Sequence, residues 1–127
     1  MSDEGVTYLV TTNKRQSLQQ ILSSLPEKID ITYINSTTPE ILLNPYPLTK
    51  YNINYERFTT LQQLVKYFPG VKEHVVIIED ISKLIDERNA SQTNYLLVQL
   101  IKQLYTHASF LLDSKRIEFI SLMADKI

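Results

Sequence analysis

The chain has 127 residues, which suits one domain with a sizeable core, and its 43% hydrophobic and 21% charged residues argue against disorder over most of its length. Its 13 basic and 14 acidic side chains give a formal net charge of -1, which argues against strong binding of nucleic acid by this chain alone. There is no cysteine, so disulfides and thiolate zinc sites are excluded, and no apolar run approaches the roughly 20 residues of a membrane span.

The N-terminal part predicts a strand, a helix and a second strand. Val6–Val10 is β-branched and apolar and predicts a buried strand. Asn13 followed by Gln16 is typical of a helix N-terminal capping box, and Pro26 should end the helix. The apolar residues at helical spacing between them are Leu18, Ile21, Leu22 and Leu25. Ile29–Ile34 alternates and predicts the second strand.

An irregular connection follows the second strand. Three prolines interrupt residues 35–57, which we predict to be a long connecting loop, with one short helical turn at Pro39–Leu43. Thr59 with Gln62 forms a second capping box and predicts a helix that ends at Pro69–Gly70. The apolar stripe of this helix consists of Leu61, Leu64, Val65 and Phe68.

The C-terminal part predicts two more strands around a long helix. Val75–Ile78 is continuously apolar, which is typical of a central strand covered on both faces. A helix is predicted over Thr93–Leu112, and Ile117–Met123 is predicted to be a fourth strand, with a helical turn as the alternative. Strands that alternate with helices predict a single α/β domain over residues 1–127, with three layers and a mainly parallel sheet of about four strands.

The segment after the first strand has part of the phosphate-binding pattern of P-loop ATPases. That pattern, GxxxxGK[ST], needs glycines so that backbone N–H groups can wrap the phosphates. Thr11–Ser17 supplies Lys14 and Ser17 but neither glycine. We therefore expect Lys14 and Arg15 to lie at a solvated helix N-terminus, where they are weak candidates for contact with an anion such as DNA.

Two acidic residues follow the central strand, as in the strand that holds magnesium in ATPases. Glu79 and Asp80 would bind magnesium or orient a water in that interpretation. Without a phosphate loop such a metal has nothing to bridge, so we predict no metal site. The simpler interpretation is that both carboxylates mark the exposed end of the strand.

Aromatic and basic residues supply the candidate contact surfaces. Tyrosine and arginine are favoured at protein interfaces, and long loops often carry function. The candidates for partner binding are Tyr46, Tyr51, Tyr55, Arg57, Phe58 and Tyr105. Tyr55, Arg57 and Phe58 have a second interpretation as local core at the sheet edge, and base stacking on the tyrosines is a third. Lys115 and Arg116 are further weak candidates for DNA contact.

Catalytic motifs are missing from the sequence. The histidines, His74 and His107, lie in different predicted elements and form no HExxH pattern, and no serine lies in a GxSxG elbow. We predict that the chain is not an enzyme and uses no cofactor. Residues 1–5 are polar and acidic, which predicts a flexible N-terminus and no signal peptide, and places the chain in the nucleus or cytoplasm.

The layout resembles a RecA-type recombinase core, and more narrowly its degenerate paralogues. The likeness rests on Val6–Val10 with its degraded phosphate loop, on Tyr33–Asn35, on Ile53–Phe58 running into Thr60–Leu64, and on Val75–Ile81 with Leu84 and Ile85. It extends over roughly Val6–Met123. The small nucleotide-free subunits of the yeast Shu complex are similar in kind.

The resemblance implies a truncated P-loop ATPase core used as a non-enzymatic subunit in homologous recombination. Such a subunit would be nuclear, would pair with recombinase-paralogue-like proteins, and would support assembly of the recombinase on single-stranded DNA. Recombinase cores carry DNA-binding loops after the fourth strand, and we expect these loops to be missing or minimal here, so DNA contact is expected mainly through a partner. Two alternatives stay open: an adaptor of another assembly, such as a kinetochore or elongator-like complex, and a small α/β enzyme that uses Lys14, Glu79 or Asp80.

Overall fold

The computed structural model describes residues 4–36 and 51–124 as an open α/β structure. The strands are β1 (Gly5–Val10), β2 (Asp30–Asn35), β3 (Asn52–Arg57), β4 (Val75–Glu79) and β5 (Ala108–Asp113). The helices are α1 (Lys14–Ser23), α2 (Leu61–Tyr67), α3 (Ala90–Leu104) and α4 (Glu118–Met123). Three short 3₁₀ turns lie at Phe68–Gly70, Ile81–Leu84 and Glu87–Asn89. In this part of the chain, no helix is both long enough and apolar enough to cross a lipid bilayer.

The five strands form one sheet in which every neighbouring pair is parallel. Their order is β1-β5-β4-β2-β3, so β1 and β4 are separated by β5, the last strand in the described part of the chain. In the register, Val10 lies opposite Asp113, and Ile78 lies opposite Leu111. The predicted α/β class with a mainly parallel sheet is confirmed, and the sheet has one strand more than the four predicted.

Helices cover both faces of the sheet. One face packs against α2, α3 and α4 through a core that includes Val6, Tyr8, Val76 and Leu97. The other face packs against α1, whose buried residues Leu18, Ile21 and Leu22 meet Ile31, Tyr33 and Ile77. Because β4 lies in the middle and is covered on both sides, all five of its residues are buried.

The first two helices begin at side-chain caps. The Asn13 side chain accepts a hydrogen bond from the backbone N–H of Gln16, as the capping-box pattern predicted. The cap of α2 is Thr60, whose hydroxyl accepts from the N–H of Gln63. It therefore lies one residue later than predicted, and the Gln63 side chain in turn accepts from the N–H of Thr59.

Two predicted elements were wrong in the C-terminal part. The helix predicted over Thr93–Leu112 ends at Leu104, and Ala108–Asp113 forms β5. The apolar positions Leu104, Ala108 and Leu111 fit a helical stripe, but five of the six residues of Ala108–Asp113 are buried, as in an inner strand that is covered on both faces. The fourth strand predicted over Ile117–Met123 is wrong, because Glu118–Met123 forms α4, which was the alternative.

The connection predicted over residues 35–57 contains a strand. Asn52–Arg57 pairs with β2 as the edge strand β3, and its polar residues Asn52 and Asn54 alternate with the half-buried Ile53 and Tyr55. At the other end, Gly5 belongs to β1 and not to a flexible terminus. The helical turn predicted at 39–43 lies outside the described residues.

Candidate functional site at the carboxyl edge of the sheet

A short turn joins β1 to α1 where a P-loop ATPase would have its phosphate loop. Three residues, Thr11–Asn13, make the connection. The N–H of Asn13 donates to the Thr11 hydroxyl at 3.0 Å, the N–H of Gln16 donates to the Asn13 side chain at 3.1 Å, and the N–H of Ser17 donates to the Asn13 carbonyl at 3.3 Å. These backbone donors are therefore satisfied within the turn itself.

Lys14 points inward from the start of α1 to the end of β4. Its ammonium Nζ lies 2.9 Å from Oδ1 and 2.7 Å from Oδ2 of Asp80, and 3.7 Å from Oε2 of Glu79. The Lys14 side chain is 20% exposed, whereas those of Asp80 and Glu79 are 2% and 0% exposed. The prediction that Lys14 lies at a solvated helix N-terminus is therefore wrong, because two buried carboxylates attract its charge.

Glu79 and Asp80 are buried, which contradicts their predicted position at an exposed strand end. Glu79 also accepts a hydrogen bond from the side-chain amide of Asn35 on the neighbouring strand β2. Asp80 adopts a left-handed backbone conformation, with φ 59° and ψ 45°, and its N–H donates to the carbonyl of Leu112 at 2.8 Å. Lys83 approaches Asp80 from the solvent side, at 3.9 Å.

A third buried carboxylate lies at the end of β5. The Asp113 side chain accepts hydrogen bonds from the N–H and the hydroxyl of Ser82, both at 2.8 Å, and from the N–H groups of Ser114 at 2.8 Å and Lys115 at 3.0 Å. Asp113 is 0% exposed. It fastens the 3₁₀ turn after β4 to the segment after β5. The sequence analysis missed this residue because it extended a helix to Leu112, so Asp113 followed a predicted helix and did not end a predicted strand.

Tyr8 connects β1 to the segment after Asp113. Its hydroxyl accepts from the N–H of Ile117 at 2.6 Å and donates to the carbonyl of Lys115 at 3.4 Å. Burial raises the pKa of Tyr8 above its ordinary value, the hydrogen bond from Ile117 opposes that rise, and the charge of Asp113 adds to it. The hydroxyl is therefore held in its neutral form.

The residues at this edge do not fit a nucleotide. A phosphate loop presents several backbone N–H groups and a lysine to the phosphates. Here the connection has three residues, the N–H groups of Asn13, Gln16 and Ser17 bond to Thr11 and Asn13, and the lysine is bound to Asp80. In the described ranges, no group of three or more histidine, aspartate or glutamate side chains is arranged to hold a metal ion.

The groups that converge here do not line two cavities found elsewhere in the structure. A cavity of about 410 Å³ lies between the N-terminal ends of α2 and α3 and is lined by Thr60, Lys83 and Arg88 among others. A second, of about 450 Å³, lies at the opposite edge of the sheet beside Phe68 and His107. Neither includes Lys14, Glu79 or Asp80.

The four candidates for DNA contact lie after neighbouring strands. Lys14 and Arg15 follow β1, and Lys115 and Arg116 follow β5, so the parallel sheet brings both pairs to the same edge. Lys14 is held in the ion pair, whereas Arg15, Lys115 and Arg116 are exposed. Arg116 contacts Glu118 and the hydroxyl of Ser121, each at 3.2 Å. Their role in binding DNA stays a prediction.

Three partner candidates contribute to the core of the chain itself. The Tyr51 hydroxyl donates to the carbonyl of Leu22 at 2.5 Å. The Tyr55 ring lies 6.3 Å from that of Tyr33, and the Phe58 ring lies 5.0 Å from that of Tyr67. These contacts favour the interpretation as local core for Tyr55 and Phe58.

Two of the remaining partner candidates are exposed, and the third lies outside the described residues. Arg57 is exposed at the end of β3. Tyr105 is 37% exposed, although its hydroxyl donates to the carbonyl of Met123. Tyr46 lies outside the described residues. Among the described residues, the most exposed large apolar side chains are Tyr95 on α3, at 62%, and Leu122 on α4, at 76%.

No protein-family model matches the chain, and no curated protein is significantly similar to it. The function is therefore inferred from the geometry above and from the resemblance of the sequence to RecA-type cores.

Proposed function

We propose that the chain is a non-enzymatic pseudo-ATPase subunit that acts through protein contacts in a homologous-recombination or DNA-repair complex. One observation gives the main support for the part of the proposal that the chain binds no nucleotide. Lys14, the residue that would neutralise phosphate in an ATPase, is bound at 2.7 and 2.9 Å to Asp80, the carboxylate that would serve the metal. Each group satisfies the other, so neither is presented to a ligand.

The architecture is compatible with the resemblance. A five-strand, all-parallel sheet with helices on both faces is the arrangement expected of a RecA-like core. The recombination pathway, the nuclear location and the paralogue-like partners come from the resemblance of the sequence. Exposed Tyr95 and Leu122 supply apolar surface of the kind that partner proteins cover.

Two measurements test the proposal. Equilibrium titration of the purified chain with a fluorescent ATP analogue and Mg²⁺ should detect no binding at micromolar protein, and tight binding would overturn the pseudo-ATPase part. Affinity purification of the tagged chain from its native cells, followed by mass spectrometry, should recover recombination proteins. Recovery of another stable assembly without recombination proteins would instead support the adaptor alternative.

The contribution of this chain to DNA binding is tested in the purified complex. Replacing Lys115 and Arg116 together by alanine removes two exposed charges at the carboxyl edge, and Lys66→Ala with Lys72→Ala is the matched control on exposed lysines elsewhere. If this chain contacts DNA, the first pair of substitutions should weaken the binding of single-stranded DNA and the control pair should not. Equal affinities of the two variant complexes for single-stranded DNA would indicate that the partner makes the DNA contact.

A further inference from the structure

The cavity of about 450 Å³ at the opposite edge of the sheet, which we call the amino-edge cavity, lies where β4 and β5 begin. One side comes from the turn after α2, and the other comes from the end of α3 and the residues that lead into β5. The lining includes Phe68, Pro69 and Val71 on the first side, and Lys102, Gln103 and His107 on the second. Ligand sites in proteins commonly have this volume.

Gln103 brings an unused hydrogen-bond acceptor to this cavity. Its side-chain Oε1 is buried, and no donor among the described residues bonds to it. A buried oxygen without a donor destabilises the fold that contains it. The amide can turn about its last torsion, which has broad energy minima, to meet a donor that enters the cavity. A ligand with a donor would therefore form a hydrogen bond that the chain alone leaves unmade.

His107 supplies a second acceptor next to an aromatic ring. Its Nδ1 lies 2.6 Å from the carbonyl oxygen of Glu73. Because a carbonyl oxygen can only accept, Nδ1 carries the proton, and Nε2 of the neutral ring is an acceptor. The ring meets that of the buried Phe68 edge to face, with centroids 5.4 Å apart. The cavity therefore offers two acceptors beside apolar and aromatic surface.

This lining matches one kind of side chain best. Lys102 is exposed at the rim, and an ammonium is attracted to the face of an aromatic ring, most strongly to that of tryptophan. The indole of tryptophan is also large and apolar, and its N–H donates a hydrogen bond without accepting one. Tryptophan is enriched among the residues that carry most of the binding energy of protein interfaces. The chain has no tryptophan of its own.

We propose that the amino-edge cavity receives a tryptophan side chain of a partner protein, with the indole N–H donating to Oε1 of Gln103. The partner in this inference rests on the proposed function, in which the chain acts through protein contacts. The cavity can be tested on the chain alone. A failure there would leave the results of the ATP titration and of the affinity purification unchanged.

The probe is N-acetyltryptophanamide, and its 1-methyl derivative, which lacks the indole N–H, is the matched control. Because the chain contains no tryptophan, indole fluorescence excited beyond the tyrosine absorption band reports on the probe alone. The emission should move to shorter wavelength as the chain is added. The Kd for the probe should be at least about 5-fold lower than that for the methylated derivative, since only the probe donates to Gln103.

Gln103→Met removes the acceptor and keeps an unbranched side chain of similar length. The two Kd values should then agree within about 2-fold. The Tm should fall by no more than about 2 °C, because the lost oxygen had no donor. Gln99→Met is the control one turn earlier on α3, where the amide donates to the Tyr95 hydroxyl at 2.9 Å. It should keep the preference for the probe.

The same two variants extend the test to the partner that affinity purification recovers. Gln103→Met should raise the Kd of the complex by at least about 5-fold, and Gln99→Met should leave it unchanged. Four results would overturn the inference. They are an absent fluorescence shift, equal wild-type Kd values for the two probes, a preference that survives Gln103→Met, and a partner Kd that Gln103→Met does not change.

Discussion

The ends of β4 and β5 both bury an aspartate, and they compensate its charge in different ways. Asp80 receives a full positive charge from Lys14, which reaches it from a helix far away in the sequence. Asp113 receives four hydrogen bonds from backbone and hydroxyl donors, three of them N–H groups. The first arrangement depends on one distant side chain, and the second depends on the local path of the backbone.

This difference has a consequence for what can be replaced. The charge of Asp80 is compensated mainly by the single ammonium of Lys14, so one substitution can remove that compensation. Three of the four donors to Asp113 are the backbone N–H groups of Ser82, Ser114 and Lys115, which no side-chain substitution removes. The end of β4 therefore depends on one side chain from another element, whereas the end of β5 depends mainly on the backbone.

The largest effect is expected at Asp113. Asp113→Ala leaves the donors of Ser82, Ser114 and Lys115 without their buried acceptor, and should lower the free energy of unfolding by about 3–5 kcal/mol. Urea denaturation followed by circular dichroism measures it. Asp86→Ala is the control, because the Asp86 side chain is 53% exposed and accepts from Arg88, and should cost about 1 kcal/mol. A difference below about 1 kcal/mol between the two variants would break the comparison.

An intermediate effect is expected for the coupling between Lys14 and Asp80. Asparagine tolerates the left-handed backbone of residue 80, so Asp80→Asn removes the charge without backbone strain. A double-mutant cycle of Lys14→Met and Asp80→Asn should give a coupling free energy of about 1–3 kcal/mol.

A second cycle sharpens the same comparison. Ser82→Ala removes a donor of Asp113 and leaves Asp80 intact, so its coupling to Lys14→Met should be below about 0.5 kcal/mol. Couplings of equal size in both cycles would mean that the two strand ends act as one network.

The smallest effect is expected at Tyr8, which joins β1 to the segment after Asp113. Tyr8→Phe should cost about 1 kcal/mol at neutral pH, because the N–H of Ile117 loses its acceptor. Burial raises the pKa of Tyr8 above 10.0, so the neutral hydroxyl is favoured in the folded state. Its contribution to stability is complete below about pH 10 and is lost as the pH rises through the higher folded-state pKa.

The pH dependence of unfolding separates this contribution from a simple packing loss. Above about pH 10 the free energy of unfolding should fall more steeply for the wild type than for Tyr8→Phe. Burial also raises the pKa of Tyr67, so part of the alkaline loss should remain in the variant. Tyr95→Phe controls for loss of an exposed hydroxyl. Parallel curves for wild type and Tyr8→Phe would contradict the role assigned to Tyr8.

Strong periodicity made much of the fold predictable. β1, β2 and β4 were evident because runs of β-branched residues are bounded by polar turns, and α1 was evident from its stripe and its Asn13 cap. β3 was missed because it is an edge strand in which asparagine, a poor strand former, occupies alternate positions. β5 was missed because no glycine or proline separates it from α3.

The site was predictable only in its parts. Lys14, Glu79 and Asp80 were each recognisable from their positions after apolar strands. Their contact depends on the order of the sheet, in which β5 lies between β1 and β4, and no local pattern specifies that order. Asp113 could have been found only by recognising β5, since its role comes from ending that strand beside β4.

The placement of β1 has a consequence for how the chain acquires its structure. In the described part of the sheet, β1 pairs with β5 alone, and Gly5 lies opposite Ala108. During synthesis β1 therefore has no pairing strand in the described sheet until β5 has been made. Such sequence-distant parallel pairing folds slowly, because the intervening chain must be closed into a loop before the contact forms. We expect β2, β3 and β4 to assemble earlier, with β1 joining the sheet together with β5.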